Sequence, residues 1–466
     1  MRIQTVGFQT IFNLLAQVLL NGTNFVLIML FTRLMPTDDY GIVSIYQAYV
    51  LFFSSVVGLN TQGSIGTAFV HYDVSEHRDY LASAFFLGTL SLLAILISSA
   101  LFFEPLESFS QLSPILIVLV LFHSFGSYAF SFASIKYVYS RKAQRNFALA
   151  AFLSLSIILF SWIGINQKVV QIPSYMARIL GLALPYIICG IYVTLTVFIQ
   201  GNPFKNLRRY WTFCLPISIP LILHGLSQVL LSQTDKIMLQ KALGDYSLVG
   251  IYSFIVTFVH ILNSIYIALN NTWVPIYYGY LQEGDDATLI KRGKRYCNLF
   301  TYLVVGFLMV SPEFIKTFAD KNYWSGISLV PIVTISIYMT YAYSFAVNFE
   351  LYHRTTRLIA AGTTAAAICN IGLNALLIPS FHIYGAAIGT MISYILLFVF
   401  HGICAAKVDS ERYQFTWSFY SKNIIIMSLF CILFYLFKDI WYVRWGLAVL
   451  DGILLLRNVY RHKSLF

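Results

Sequence analysis

Cys214–Phe254 reads CLPISIPLILHGLSQVLLSQTDKIMLQKALGDYSLVGIYSF. It is an apolar helical run with two prolines, Pro216 and Pro220, near its start. His224, Gln228 and Ser232 recur every fourth residue, which places them on one face of that helix. The run closes on a charged pair, Asp235 and Lys236, and a short Gly/Asp turn leads to Gly250-Ile251-Tyr252-Ser253 in the next helix. The same order of features stands near the N-terminus. A helix carrying Asn13, Gln17 and Asn21 ends at Arg33, a Pro/Asp turn follows, and Gly41-Ile42-Val43-Ser44 opens the next helix. The two G-I-x-S openings lie 209 residues apart. This pattern reads as an internal duplication with a membrane-embedded polar cavity between its copies.

Composition bounds the rest of the reading. Of 466 residues, 58% are hydrophobic and 11% charged, against about 25% charged in an ordinary soluble domain. The chain is therefore an all-α integral membrane protein, since barrel strands would be shorter and would alternate. The net charge of +11 sits in short connections between apolar runs, which fits membrane orientation and not nucleic-acid binding. The six cysteines form no metal or disulfide spacing, so free thiols and no bound metal are expected. The apolar run to Phe31 is too long for a signal-peptide core and reads as a retained first helix.

A spanning helix needs about 20 mostly apolar residues. Fourteen candidates start near Phe8, Tyr40, Leu81, Leu112, Phe147, Arg178, Tyr210, Leu248, Tyr296, Ile327, Leu358, Ile383, Phe419 and Ile440. Arg444 and Asp451 interrupt the last. With the N-terminus in the cytoplasm, 21 of the 30 basic residues fall on the inner side, and both termini are cytoplasmic. The repeat spans six helices, an even number, so the two lobes run parallel. The expected division is residues 1–205, 206–410, and a two-helix appendage with a cytoplasmic tail at 411–466.

Polar groups in hydrocarbon mark either a pathway or interhelical hydrogen bonds. They concentrate in the first, second, seventh and eighth helices: Gln17, Asn21, Gln47, Asn60, Gln62, Gln228, Ser264 and Asn271 among them. That concentration suggests a shared cavity. His123, His224 and His260 fall near mid-membrane, as packing residues or as proton carriers. Arg33, Arg178, Asp235 and Lys236 stand at outer helix ends, as interfacial anchors or as the rim that receives an anionic head group. No acidic residue is read as lying deep in a lobe. There is no nucleotide, dinucleotide or hydrolase signature, so no catalytic residue and no cofactor is assigned.

Three groups of motifs resemble the bacterial polysaccharide flippases. These are the O-antigen, capsule and teichoic-acid transporters of the multidrug/oligosaccharidyl-lipid/polysaccharide exporter superfamily. The first is T-R-L-M-P-T-D-D-Y-G-I-V-S over Thr32–Ser44. The second is Leu215-Pro216, then Asp235-Lys236, then Gly250-Ile251-Tyr252-Ser253. The third runs from Arg354 through Asn370, Asn374 and Ile378-Pro379 to Tyr384-Gly385-Ala386-Ala387 and Thr390. The resemblance implies two six-helix bundles around a cavity that alternates between membrane faces. It also implies a substrate of sugars joined by diphosphate to a polyprenyl lipid. The deep positions here carry His, Asn and Gln where family members often carry cations.

The resulting expectation is a bacterial inner-membrane flippase, not an enzyme, that moves a lipid-linked oligosaccharide for surface polysaccharide synthesis. Its partners are membrane lipids and possible polymerase and chain-length machinery, with no nucleic acid. The head group is expected at Arg33 and Lys236, with Asp235 and Asp39 holding those cations and Asn21, Gln17, Gln228 and Arg178 along the path. His224 and His260 are the candidates for ion coupling. An ion-coupled multidrug exporter and a membrane polymerase or glycosyltransferase are the alternatives.

Overall fold

The computed structural model describes the backbone of residues 2–110, 112–165 and 172–462. Within its helices, the side chains of residues 2–8, 10, 106, 109, 165, 224, 461 and 462 lie outside the described set. The expectation for the His224 side chain therefore falls outside the described residues. In chain order the helices are α1 (Arg2–Leu34), α2 (Thr37–Val57), α3 (Ile65–His71), α4 (His77–Leu101), α5 (Phe103–Ser110), α6 (Pro114–Tyr139), α7 (Ala143–Ile165) and α8 (Ser174–Gln200). Then come α9 (Leu207–Leu243), α10 (Tyr246–Val259), α11 (Ile261–Glu283), α12 (Asp286–Phe318), α13 (Val330–Tyr352), α14 (Thr356–Val408), α15 (Trp417–Leu436) and α16 (Trp441–His462). No strand occurs among the described residues. In hydrocarbon the backbone must satisfy its own hydrogen bonds, and a helix does so within one segment.

Among the described residues, twelve stretches are helical, long and apolar enough to cross a membrane. One of them, α14, contains two of the fourteen predicted spans. Its backbone leaves helical geometry at His382 (φ 50°, ψ −127°), between the predicted starts at Leu358 and Ile383. Gly385 is required just past that turn, because a Cβ there would lie 2.3 Å from the Leu377 carbonyl oxygen. The span predicted near Leu248 is two helices, α10 and α11, meeting at His260. The last predicted span is the helix α16, but its charged residues keep it out of the twelve. Arg444 is buried there against α12. It donates from Nη1 to the Met309 carbonyl at 2.9 Å and to Glu313 Oε2 at 2.8 Å. A charge inside an apolar helix is tolerated when it finds a carboxylate of this kind.

Polar caps fix where helices begin. Asp245, after the left-handed Gly244, accepts from the backbone N–H of Ser247 at 2.8 Å and of Leu248 at 3.2 Å, which starts α10. Asp285 starts α12 in the same way. Its hydrogen bonds from Thr288 hold its carboxyl below the usual range.

The chain packs as two compact units, Met1–Phe31 with Asp39–Gln233 and Thr32–Asp38 with Thr234–Phe466. The helix α9 thus contributes to both. In the first unit, Phe85, Tyr128 and Phe132 pack with Tyr72, Tyr80 and Tyr210 in a core drawn from α4, α6, α9 and the residue after α3. In the second, Trp273 stacks on Tyr296 at 5.0 Å between ring centroids and Phe300 on Tyr341 at 4.1 Å. Those rings join α11, α12 and α13, and α15 and α16 pack on α12.

Candidate functional site

Asp235 lies in the last turns of α9, and its side chain is 2% exposed. Burying a carboxylate is costly unless it is hydrogen-bonded and paired. Both conditions are met. The Lys236 backbone N–H donates to Asp235 Oδ1 at 2.8 Å, and the Tyr252 hydroxyl donates to Oδ2. The buried Lys236 ammonium supplies the opposite charge.

From Tyr252 the bonds continue into α14. The Tyr252 hydroxyl has given its only proton to Asp235, so it accepts from the Thr390 hydroxyl. Thr390 Oγ1 in turn accepts from Asn370 Nδ2 at 3.1 Å, and Asn370 Oδ1 accepts from Asn374 Nδ2 at 3.0 Å. Every donor in the series points along the chain toward the carboxylate. In a low-dielectric interior such a series polarises in one direction and strengthens each member. Gly389 leaves room for it, since a Cβ there would lie 2.5 Å from Asn374 Oδ1. His260, at the junction of α10 and α11, is exposed and lies within electrostatic reach of Lys236.

Arg33, near the end of α1, does not pack in the unit that holds the rest of that helix. Its segment, Thr32–Asp38, belongs to the same compact unit as Lys236. Hydrogen bonds explain that placement. The Arg33 guanidinium donates to the Thr317 carbonyl in the last turn of α12, where the helix dipole favours a cation. The Asp320 N–H donates to the Thr32 carbonyl at 3.3 Å, and Thr37 Oγ1 meets Ser247 Oγ at 2.6 Å. Lys236 also differs from the expected rim position, because it is buried beside Asp235.

The first unit holds the other predicted residues. Asp39, in the first turn of α2, accepts from the Ser174 hydroxyl at the start of α8. Arg178 is buried in α8, donating to Ser161 Oγ at 3.0 Å with its guanidinium 4.2 Å from the Phe31 ring centre. Gln17, Asn21 and Asn24 are exposed on α1, and Gln228 is half-buried on α9. Asn13, on the same face of α1, is interhelical glue: its Oδ1 accepts from Asn146 Nδ2 at 2.9 Å. His123 packs in the core with Nδ1 3.0 Å from the Tyr46 hydroxyl.

Two features are only partly legible in the sequence. Glu350 and His401 form a fully buried pair, with His401 Nδ1 2.9 Å from Oε2. Glu350 and Asp235 are thus both buried acids, each near the C-terminal end of its helix. Fifty-one residues separate Glu350 from His401, and no local spacing links them. The second feature is a polar cavity of about 240 Å³ in the first unit, which Asn60 and Gln62 line. Those two residues are visible in the sequence as polar groups in an apolar stretch.

Residues 6–278 match the family model described as polysaccharide biosynthesis protein. The chain is similar to Lsg locus putative protein 1 of Haemophilus influenzae. The two are 22% identical over 358 residues, covering 74% of this chain and 84% of that protein. Among solved structures, lipid II flippase MurJ in its inward closed conformation is similar with a TM-score of 0.71 at 16% identity, covering 98% of this chain and 99% of that one. An inward-facing multidrug resistance MATE family transporter of the MOP superfamily gives a TM-score of 0.60 at 14% identity, covering 86% and 96%. At such identities the likeness is one of fold. With its family model matched over more than half its length, the chain belongs to the polysaccharide biosynthesis protein family, and it shares the all-α fold of these two structures.

Proposed function

We propose that this protein is a flippase. It moves polyprenyl-diphosphate-linked oligosaccharide repeat units across a bacterial cytoplasmic membrane by alternating access, for surface polysaccharide synthesis. The observation that carries the reading is the family match over residues 6–278. The fold shared with a lipid II flippase supports it. So do the exposed amides Gln17, Asn21 and Asn24 on an otherwise apolar helix, because such groups in a membrane call for a water-filled surface. Both termini lie in the cytoplasm on this reading, and polysaccharide polymerase and chain-length proteins are its partners. The six-helix lobes at 1–205 and 206–410 carry the alternation, and 411–466 is an appendage.

Arg33 is the head-group contact on this reading, with Gln17, Asn21 and Gln228 along the path. Lys236, Asp235, Asp39 and Arg178 hold the surrounding helices in register for it. His224 and His260 exchange protons during transport. Ion-coupled export of small molecules is the second reading, and the buried carboxylates Asp235 and Glu350 favour it.

Deleting the gene and following lipid-linked repeat units separates the two. A flippase predicts their accumulation on the cytoplasmic leaflet and the loss of surface polysaccharide. Restoration by the wild-type gene and not by Arg33→Gln assigns the head-group contact. Normal surface polysaccharide in the deletion strain, together with new drug sensitivity, selects the exporter.

A further inference from the structure

The helix α2 stops at Val57, and the chain passes through Leu59 (φ 48°) and Asn60 (φ 49°) before a short 3-10 turn, Thr61–Ser64, and α3. Two successive left-handed residues that are not glycine are uncommon, and such strain clusters where ligands bind. Irregular backbone at membrane depth persists where it lines a polar space. Here it lines the 240 Å³ cavity, whose wall comprises Ser54, Ser55, Asn60, Gln62, Ser127 and Ser131 with Tyr128, Leu221 and Gly225. Leu221 is about 21 Å of helix rise from the start of α9, well inside the unit.

The wall offers hydrogen bonds in both senses. Ser54 and Ser55 donate their protons to the Leu51 carbonyl at 2.9 and 3.0 Å, so they present lone pairs. Gln62 Oε1 is buried and has no partner among the described residues. The side chains of Asn60, Ser127 and Ser131 have no hydrogen-bond partner among the described residues, so they can donate as well as accept. The Thr61 and Tyr128 hydroxyls meet at 2.7 Å and tie the 3-10 turn to α6. None of the described residues on the wall is charged.

We propose that this cavity in the first unit is a subsite for one uncharged sugar ring of the transported head group. The inference rests on the flippase reading above. A diphosphate would enter without a counter-charge on the described wall and is disfavoured there. A prenyl tail would strand the amides and hydroxyls. Sugar hydroxyls both donate and accept, which matches the mixed lining. The volume is below the roughly 300–1,000 Å³ of pockets that enclose whole drug-sized ligands, so it takes one ring and not a chain.

Gly225 provides the test, because a Cβ added there meets nothing within 4 Å. In the deletion strain, plasmid copies carrying Gly225→Leu, or Ser127→Ala with Ser131→Ala, are compared with wild type and with Gly446→Leu. Gly446 also meets nothing within 4 Å, lies on α16 and is not one of the residues that line the cavity. Membrane level, surface polysaccharide and lipid-linked repeat units are measured together. Gly225→Leu is expected to lower export at least about tenfold at normal membrane level, and the double alanine variant by about tenfold, the loss of one or two hydrogen bonds. Gly446→Leu exports normally. If Gly225→Leu lowers the membrane level, the double alanine variant decides. Normal export from the deciding variant makes the cavity a water-filled void and overturns the subsite. If the deletion strain accumulates no lipid-linked repeat units, the flippase reading itself fails, which is a distinct result.

Discussion

In the first unit, Asn60, Ser127 and Ser131 line an open cavity with no charged side chain on its described wall. In the second, Asn374, Asn370, Thr390, Tyr252 and Asp235 are bonded to one another in series and closed off by Lys236, with Asn374 Oδ1 at the far end buried and without a partner among the described residues. Both sets are polar groups inside apolar helices, yet they answer the cost of burial differently. A group satisfied by its neighbours makes structure. A group left unsatisfied at a cavity wall is available to a ligand.

The largest test of this contrast is at the charged end of the series. Asp235→Ala leaves Lys236 buried without its carboxylate and is expected to destabilise the protein by about 3–5 kcal/mol. Asp235→Asn with Lys236→Met removes both charges and is expected to be more stable than Asp235→Ala. Thermal unfolding of the detergent-purified proteins measures both. Equal melting temperatures for Asp235→Ala and wild type would mean that the series is not a structural unit.

A smaller effect separates glycines of the two units. Gly385→Ala sets a Cβ 2.3 Å from the Leu377 carbonyl oxygen, and backbone cannot give way as a flexible side chain can. Overpacking of this kind costs about 1–3 kcal/mol. Gly225→Ala enters open space within a helix and is expected to stabilise by up to about 1 kcal/mol. The same melting experiment compares them, and a cost at Gly225 equal to that at Gly385 would show its cavity to be closed.

The smallest effect is at Asn13. Asn13→Leu removes the bond to Asn146, and interhelical bonds of this kind in membranes average about 0.6 kcal/mol. Export is expected to stay normal, whereas Asn21→Leu, two turns along α1 at an exposed position, is expected to reduce it. Equal export from both variants would remove the distinction between glue and path on α1.

By itself the sequence determined the membrane class and the helices. Hydropathy is a local property, and a segment of the right length has only one way to satisfy its backbone in lipid. Local chemistry also placed the Gly244-Asp245 turn and the separate spans at Leu358 and Ile383, because caps and turn residues act on their immediate neighbours. Helical spacing put Asn13, Gln17 and Asn21 on one face of α1. Spacing says which residues share a face and nothing about what that face meets. Tertiary structure alone decided that Asn13 is occupied by Asn146 while Asn21 is exposed. It turned the Asp235–Lys236 pair inward to Tyr252, drew Arg33 to the end of α12, and joined Glu350 to His401. Each of these depends on a partner in another helix. The energy of a buried polar group is set by that partner, not by its neighbours in sequence.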